Sequence, residues 1–192
     1  MGIVTTTERE RYENIWTTVP EAYAATSPGL EALPVFLEYA HPPASVLDAG
    51  CGSGRAAVAL RNLGFEVQCC DLTHEGLIPE ARSLPFQPVC LWQPLRPALR
   101  RGLFDWVYCA DVLEHVPPQF TMLAIDQMLR VAGCGLFLSI AFVGDAFGAW
   151  IGEALHQTVQ PYVWWRDSLR EVGTVVEARD LISHGLFLVT RK

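Results

Sequence analysis

Apolar residues recur in this chain with two different spacings. Short unbroken runs bounded by proline or glycine alternate with stretches where apolar side chains return every three or four positions. The runs are Ser45–Asp48, between Pro42-Pro43 and a glycine cluster; Phe65–Cys70, ending at Asp71; Pro88–Trp92, weakened by prolines at both ends; Leu103–Cys109; and Cys134–Phe142. They predict five strands. Continuously apolar segments such as Leu136-Phe137-Leu138 suit strands buried on both faces. Between them, Ala56, Ala59, Leu60 and Leu63 predict a helix over Arg55–Leu63 closed by Gly64. Met122, Ile125, Met128 and Leu129 predict another over Thr121–Val131, ended by Gly133, and Trp164–Val172 reads as a third, closed by Gly173. Two final strands, Thr174–Ala178 and His184–Thr190, lie close enough to pair antiparallel. The alternation predicts an α/β domain whose mostly parallel sheet carries helices on both faces. Val4–Tyr39, with Tyr12, Ile15, Trp16, Tyr23, Leu30, Leu33 and Phe36, predicts one or two helices over the open end of that sheet. One domain is expected: residues 1–44 as a helical cover and 45–192 as the core.

Composition narrows the function. The 192 residues are 51% hydrophobic with mean hydropathy +0.21, which supports a sizeable core and excludes intrinsic disorder. Only 18% are charged, so some apolar surface is left for a ligand or partner. A net charge of −7 and a pI near 5.2 argue against a dedicated nucleic-acid binder, which needs a basic face. No run approaches the roughly 18 apolar residues of a membrane-spanning helix. The polar start, with Glu8-Arg9-Glu10-Arg11, resembles neither a secretory signal nor a transit peptide. Cys51, Cys69, Cys70, Cys90, Cys109 and Cys134 form no C-x-x-C pair and no zinc spacing, so free thiols in a reducing cytoplasm are expected, and no metal. The oligomeric state is left open.

The chemistry concentrates in Val46-Leu47-Asp48-Ala49-Gly50-Cys51-Gly52-Ser53-Gly54, where a strand enters a glycine-rich turn and a helix follows. Glycines let the backbone approach a ligand, and the helix start favours a carboxylate or phosphate. Arg55 stands where the third glycine of a dinucleotide fingerprint would fall, and no G-K-[ST] marks a P-loop. Asp48 would repel a pyrophosphate but hold an ammonium. Asp71, 21 positions beyond Gly50, stands where a ribose-binding carboxylate belongs. Together these indicate a ligand with a cationic amino end and a nucleoside end.

With Phe104-Asp105-Trp106-Val107-Tyr108-Cys109-Ala110-Asp111-Val112-Leu113-Glu114-His115-Val116 downstream, the chain resembles class I S-adenosylmethionine-dependent methyltransferases. It is most similar to the small-molecule branch of the ubiquinone and menaquinone enzymes, over about Val46 to Ile140. The resemblance implies a Rossmann-like seven-stranded sheet of order 3-2-1-4-5-7-6 with strand seven antiparallel. It implies S-adenosylmethionine as cofactor, S-adenosylhomocysteine as product, and a small or medium-sized acceptor methylated on oxygen or nitrogen. By the same resemblance Asp48, Ala49, Gly50, Gly52 and Gly54 would contact the methionine moiety, Asp71 the ribose and Leu72 the adenine. Where the family has an Asp after strand three, this chain offers Trp92 and Gln93 for adenine. Cys109, Ala110 and Asp111 would line the pocket between cofactor and acceptor. The lid insertion of most small-molecule members is reduced here to the loop Val143–Tyr162, with Gly144, Gly148 and Gly152, so a lid must come from this loop and the N-terminal helices.

Two histidines are candidate general bases, His115 after strand four and His156 in the loop; each has a plain structural alternative. His41, His74 and His184 read as structural. Of Trp164 and Trp165, adjacent positions about 100° apart on a helix, one is expected in the core, with Trp150 a candidate to join the other at a pocket or interface. Arg96, Arg100 and Arg101 read as a solvated basic face, with a phosphate-bearing substrate as the alternative. Two rival functions stay in view. An amino-directed nucleic-acid enzyme would carry [DNS]-P-P-[YFW] after strand four, where this chain has Asp111-Val112-Leu113. A catalytically silent cofactor-binding module, or a nicotinamide enzyme, is disfavoured by the intact glycine loop and by Asp48.

Overall fold

The protein is described from a computed structural model, covering residues 2–25, 29–95, 97–99 and 103–192. The Arg96, Arg100 and Arg101 cluster lies outside these described residues. Helices α1 (Gly2–Thr18), α2 (Pro20–Ala25) and α3 (Gly29–Phe36) precede strand β1 (Ser45–Ala49). Then follow α4 (Arg55–Asn62), β2 (Glu66–Asp71), β3 (Phe86–Pro88), β4 (Phe104–Ala110), α5 (Pro118–Val131), β5 (Ala132–Ala141), α6 (Tyr162–Val172), β6 (Thr174–Asp180) and β7 (His184–Thr190). The strands form one sheet in the order β3-β2-β1-β4-β5-β7-β6. All neighbours are parallel except β7, which runs antiparallel to both β5 and β6. This is the topology the resemblance implies.

Strand alternation sorts the core into two layers. Leu47, Val107, Cys109, Leu136 and Leu138 point to the face covered by α5 and α6, where Ile125, Met128, Trp165 and Leu169 are buried. Val46, Cys69, Tyr108 and Phe137 point to the other face, against Phe36 of α3 and Leu60 of α4. The chain leaves β1 for β2 on one side and returns to β4 on the other. The crevice between the carboxyl ends of β1 and β4 is therefore the switch point where ligands settle in such sheets.

Some boundaries depart from the apolar pattern. The N-terminal segment makes three helices rather than one or two, because Pro20 starts a new helix and restricts Val19 before it. The third strand is Phe86–Pro88 rather than Pro88–Trp92. It pairs with Cys69–Asp71 at the sheet edge, where a proline without an N–H is tolerated, and the chain then turns as Gln93 N–H bonds the Cys90 carbonyl at 2.9 Å. Helix α5 starts three residues early, at Pro118, with proline in its first turn. Trp165 is the core member of the tandem pair, fully buried, while Trp164 is 36% exposed and Trp150, at 66%, lines neither cavity of the site.

Trp165→Ala is expected to lower unfolding free energy by about 3–5 kcal/mol, as for other large buried aromatics, and Trp164→Ala by about 1 kcal/mol or less. Urea unfolding of the two variants side by side checks the assignment; equal losses would contradict it.

Candidate functional site

The turn after β1 is built around an acid that folding leaves half satisfied. Asp48 is 3% exposed. One carboxylate oxygen accepts the Ala57 N–H of α4, and Oδ2 has no partner. Burial, with the Asp71 carboxylate nearby, pushes its pKa up to about 7. Gly50 and Gly52 have φ of 73° and 50°, in the left-handed region. A Cβ at Gly50 would also stand 2.5 Å from a Val112 methyl, so space and conformation both demand glycine. Gly54, φ 73°, packs against Ala81, where a Cβ would come within 2.5 Å of the alanine methyl; it shapes the turn rather than lining the crevice.

Asp71, closing β2, anchors this turn. It accepts the Gly52 N–H at 2.8 Å and the Leu72 N–H at 2.6 Å. Gly50 and Cys51 N–H groups bond the Cys70 carbonyl at 2.8 and 3.1 Å. Burial raises the Asp71 pKa, opposed by the amides of Gly52, Leu72 and Thr73.

Two cavities meet over this turn. The larger, about 260 Å³, is lined by Asp48, Gly50, Gly52, Ala110, Asp111, Glu114, His115, His156 and His184, among others. The smaller, about 110 Å³, is lined by Tyr12, Asp71, Leu72, Leu91, Trp92 and Val112. Trp16, Tyr23, Gly50, Gly52, Asp111 and His115 line both, so the two form one bent crevice. Most of the residues expected to touch the cofactor therefore gather along it. Four do not line it. Ala49 and Cys109 point to the α5 face by strand alternation, Gly54 packs inward, and Gln93 turns aside after β3. Trp92 stacks on Phe120, ring centres 5.6 Å apart and planes 4° from parallel.

The roof comes from α1 and the 143–161 loop. Ile15, Trp16 and Leu155 form a small buried cluster. Arg11 bridges Glu8 at 2.8 Å and Glu153 at 2.6 Å, while Gln157 donates to Glu8 and to the His115 carbonyl, both at 3.0 Å. The loop is stitched to the β4–α5 connection by Gln157 and Thr158 N–H groups bonding the Glu114 carbonyl at 2.7 and 2.8 Å. Asp145 holds its far limb, accepting from the Leu155 and His156 amides at 2.9 and 3.1 Å.

This stitching brings His156 against His115, ring centres 4.5 Å apart. Burial and His156 hold the His115 pKa down to about 3, which keeps its ring neutral and makes it a weak proton acceptor. Glu114 is fully buried, its pKa well above the carboxylate range from burial and the Asp111 carboxyl. Asp111 has φ 52°, and its Oδ1 lies 3.6 Å from Nε2 of His184, which also lines the larger cavity. Sequence reasoning also missed Tyr12, Trp16 and Glu114. Tyr12 and Trp16 left only an aromatic helical spacing as a signal, and Glu114 left only its place beside His115.

Residues 47–137 match the family described as a methyltransferase domain. A ubiquinone biosynthesis O-methyltransferase of Xanthomonas campestris pv. campestris is 36% identical over 118 residues, an alignment spanning 55% of this chain and 48% of that protein. The chain spans about half the length of the curated relatives it matches. Among solved structures, the PH0226 protein of Pyrococcus horikoshii OT3 superposes with TM-score 0.70 at 16% identity, covering 90% of this chain and 92% of that one. The magnesium protoporphyrin IX methyltransferase of Synechocystis PCC 6803 with bound S-adenosylhomocysteine superposes with TM-score 0.63 at 21% identity, covering 98% and 95%. With the sheet order, the glycine turn and Asp71 in place, residues 47–137 carry a methyltransferase domain set within a class I methyltransferase fold.

Proposed function

We propose that this protein transfers a methyl group from S-adenosylmethionine to an oxygen or nitrogen of a small or medium-sized acceptor. The observation that carries this reading is the unpartnered, buried Oδ2 of Asp48 beside a turn whose glycines leave room for a ligand. A donor ammonium satisfies that oxygen, and Asp71 and the free hydroxyl of buried Tyr12 suit a ribose. Leu72, Leu91 and Trp92 offer an apolar slot for adenine. The oxygen alternative draws on the curated relatives, which are named O-methyltransferases.

When bound, the donor supplies an activated methyl: an acceptor lone pair forms the new bond to carbon, the carbon–sulfur pair returns to sulfur as a neutral thioether, and the acceptor loses its proton. The chain's residues align and enclose. Asp48 and the Gly50–Gly52 backbone hold the amino-acid end, Trp16 and the loop over the crevice exclude water, and Asp111 and His156 face the acceptor side. The acidic lining, with Asp48, Asp71, Asp111 and Asp145, favours a cationic donor over an anionic dinucleotide. That lining and the net charge of −7 favour a small molecule over a nucleic acid. Among the described residues no helix is long and apolar enough to cross a membrane, and six free cysteines support a reducing, cytoplasmic setting.

Asp48 sets the expected pH dependence. Its folded pKa, about 7, lies above the ordinary carboxylate value, so the native state binds this proton more tightly than the unfolded chain does. Stability of the empty protein should fall as pH rises from about 4 towards 7. Donor affinity should rise over the same range, as the carboxylate ionises, and decline above about 8, where an α-amino group loses its proton. Calorimetry with S-adenosylhomocysteine from pH 5.5 to 9 reads this out; a flat profile contradicts it. Asp48→Asn keeps the acceptor for Ala57 but removes the charge, and should weaken donor binding at least about tenfold at pH 7.5 while leaving thermal stability equal or higher.

Methyl transfer itself is tested by incubating the protein with methyl-labelled donor and either a hydroxylated metabolite extract or total nucleic acid. Label is expected in the small-molecule fraction; label in polymer alone overturns the acceptor class. His156→Ala is expected to lower turnover more than donor affinity. Wild-type rates in that variant would remove His156 from the acceptor side.

A further inference from the structure

Three side chains at the acceptor end of the larger cavity are not used in holding the donor: Glu114, His115 and His156. One ligating atom of each lies within 4.8 Å of the other two. Each imidazole has one nitrogen already committed. His115 Nδ1 is 3.2 Å from the Leu155 carbonyl oxygen, and His156 Nδ1 is 2.6 Å from that of Val143. A carbonyl oxygen can only accept, so each Nδ1 carries the proton and each Nε2 presents a lone pair. A backbone carbonyl behind the ring is the outer partner that metal-ligating histidines ordinarily have. The third group is stronger still as a pointer. Glu114 is fully buried, its Oε1 accepts the Ala141 N–H at 3.0 Å, and its other oxygen meets no N–H or cation, the side chain sharing a hydrogen bond only with the Asp111 carboxyl, which itself has no other hydrogen-bond donor. A buried carboxylate oxygen without a donor is costly, and a cation is one thing that satisfies it.

We propose that Glu114, His115 and His156 bind a divalent transition-metal ion. Two imidazoles and one carboxylate suit the borderline cations Zn2+ and Co2+, whereas Mg2+ and Ca2+ favour all-oxygen sites. Ligand atoms about 2.1 Å from a tetrahedral ion stand roughly 3.4 Å apart, so the present spacing closes by no more than about 1.4 Å, within reach of a half-buried loop histidine. The backbone supports the geometry: the His156 amide is held by Asp145, and the residues after it by the Glu114 carbonyl. Three protein ligands leave an open position towards the cavity. Resting on the methyl-transfer reading, that position takes an acceptor hydroxyl and lowers its pKa.

The test is carried out on the metal-stripped full chain without donor or acceptor. Co2+ is titrated while visible absorption is read, and Zn2+ by calorimetry. One equivalent of each is expected to bind. His156→Ala, whose half-buried loop position leaves the core intact, and Glu114→Gln should each lose at least about tenfold in affinity, with circular dichroism confirming the fold. Cys134→Ser and His74→Ala, which remove exposed donors elsewhere, should bind as wild type. Absence of binding up to about 1 mM of either ion, or equal affinity in His156→Ala, overturns the proposal. Thermal stabilisation of the metal-free protein by S-adenosylhomocysteine is read separately. If it persists while metal binding fails, only the metal site falls; if it fails while metal binds, only the donor reading falls.

Discussion

A carboxylate buried without a counter-charge is the constraint around which this molecule is arranged. Asp48 ends β1 on the layer that faces the crevice, and in the empty protein nothing neutralises its Oδ2. Burying such a group is unfavourable, and the raised pKa is the signature of that penalty. The surrounding structure absorbs it through neighbouring constraints: the Ala57 amide on one oxygen, the Asp71–Gly52 bond that fixes the turn, and glycine at position 50 where Val112 allows nothing larger. A binding site that is strained electrostatically when empty favours a cationic ligand over water.

The same crevice is closed by pieces distant in sequence. Arg11, Glu8 and Glu153 clasp the first helix to the loop after β5, and Leu155 joins Ile15 and Trp16 in a buried cluster. Hydrogen bonds from Gln157 and Thr158 to the β4–α5 connection and a small apolar cluster join this roof to the rest, while the sheet below is braced by two full core layers. Such a division, a sheet carrying the glycine turn and a cover assembled from two segments distant in sequence, suits the proposed transfer between two substrates.

The strands themselves, the antiparallel character of the last pair and the donor turn were legible in the sequence because each rests on local regularities, whereas the sheet order came only from the resemblance to a known family. Unbroken apolar runs mark doubly buried strands, and a strand ending in Asp48-Ala49-Gly50-Cys51-Gly52 has few other physical uses. Legibility failed where a residue's role depends on what another segment brings to it. Cys109 and Ala110 are adjacent, and only the phase of β4 in the sheet puts the first in the core and the second at the crevice. Gln93 stands three residues after a cysteine carbonyl that captures its amide and turns the chain aside.

By itself, then, the chain determined the periodicities, the glycine turn and the acid that precedes it, since these follow from neighbours in sequence. Tertiary structure alone decided that His184 meets Asp111, that Tyr12 and Trp16 cover a turn some forty residues away, and that Glu114, His115 and His156 converge. Those pairings depend on loop closure over long separations and on hydrogen bonds between unlike segments, such as the Glu114 carbonyl to Gln157 and Thr158. No local spacing encodes them, because each partner's position is set by a different part of the fold.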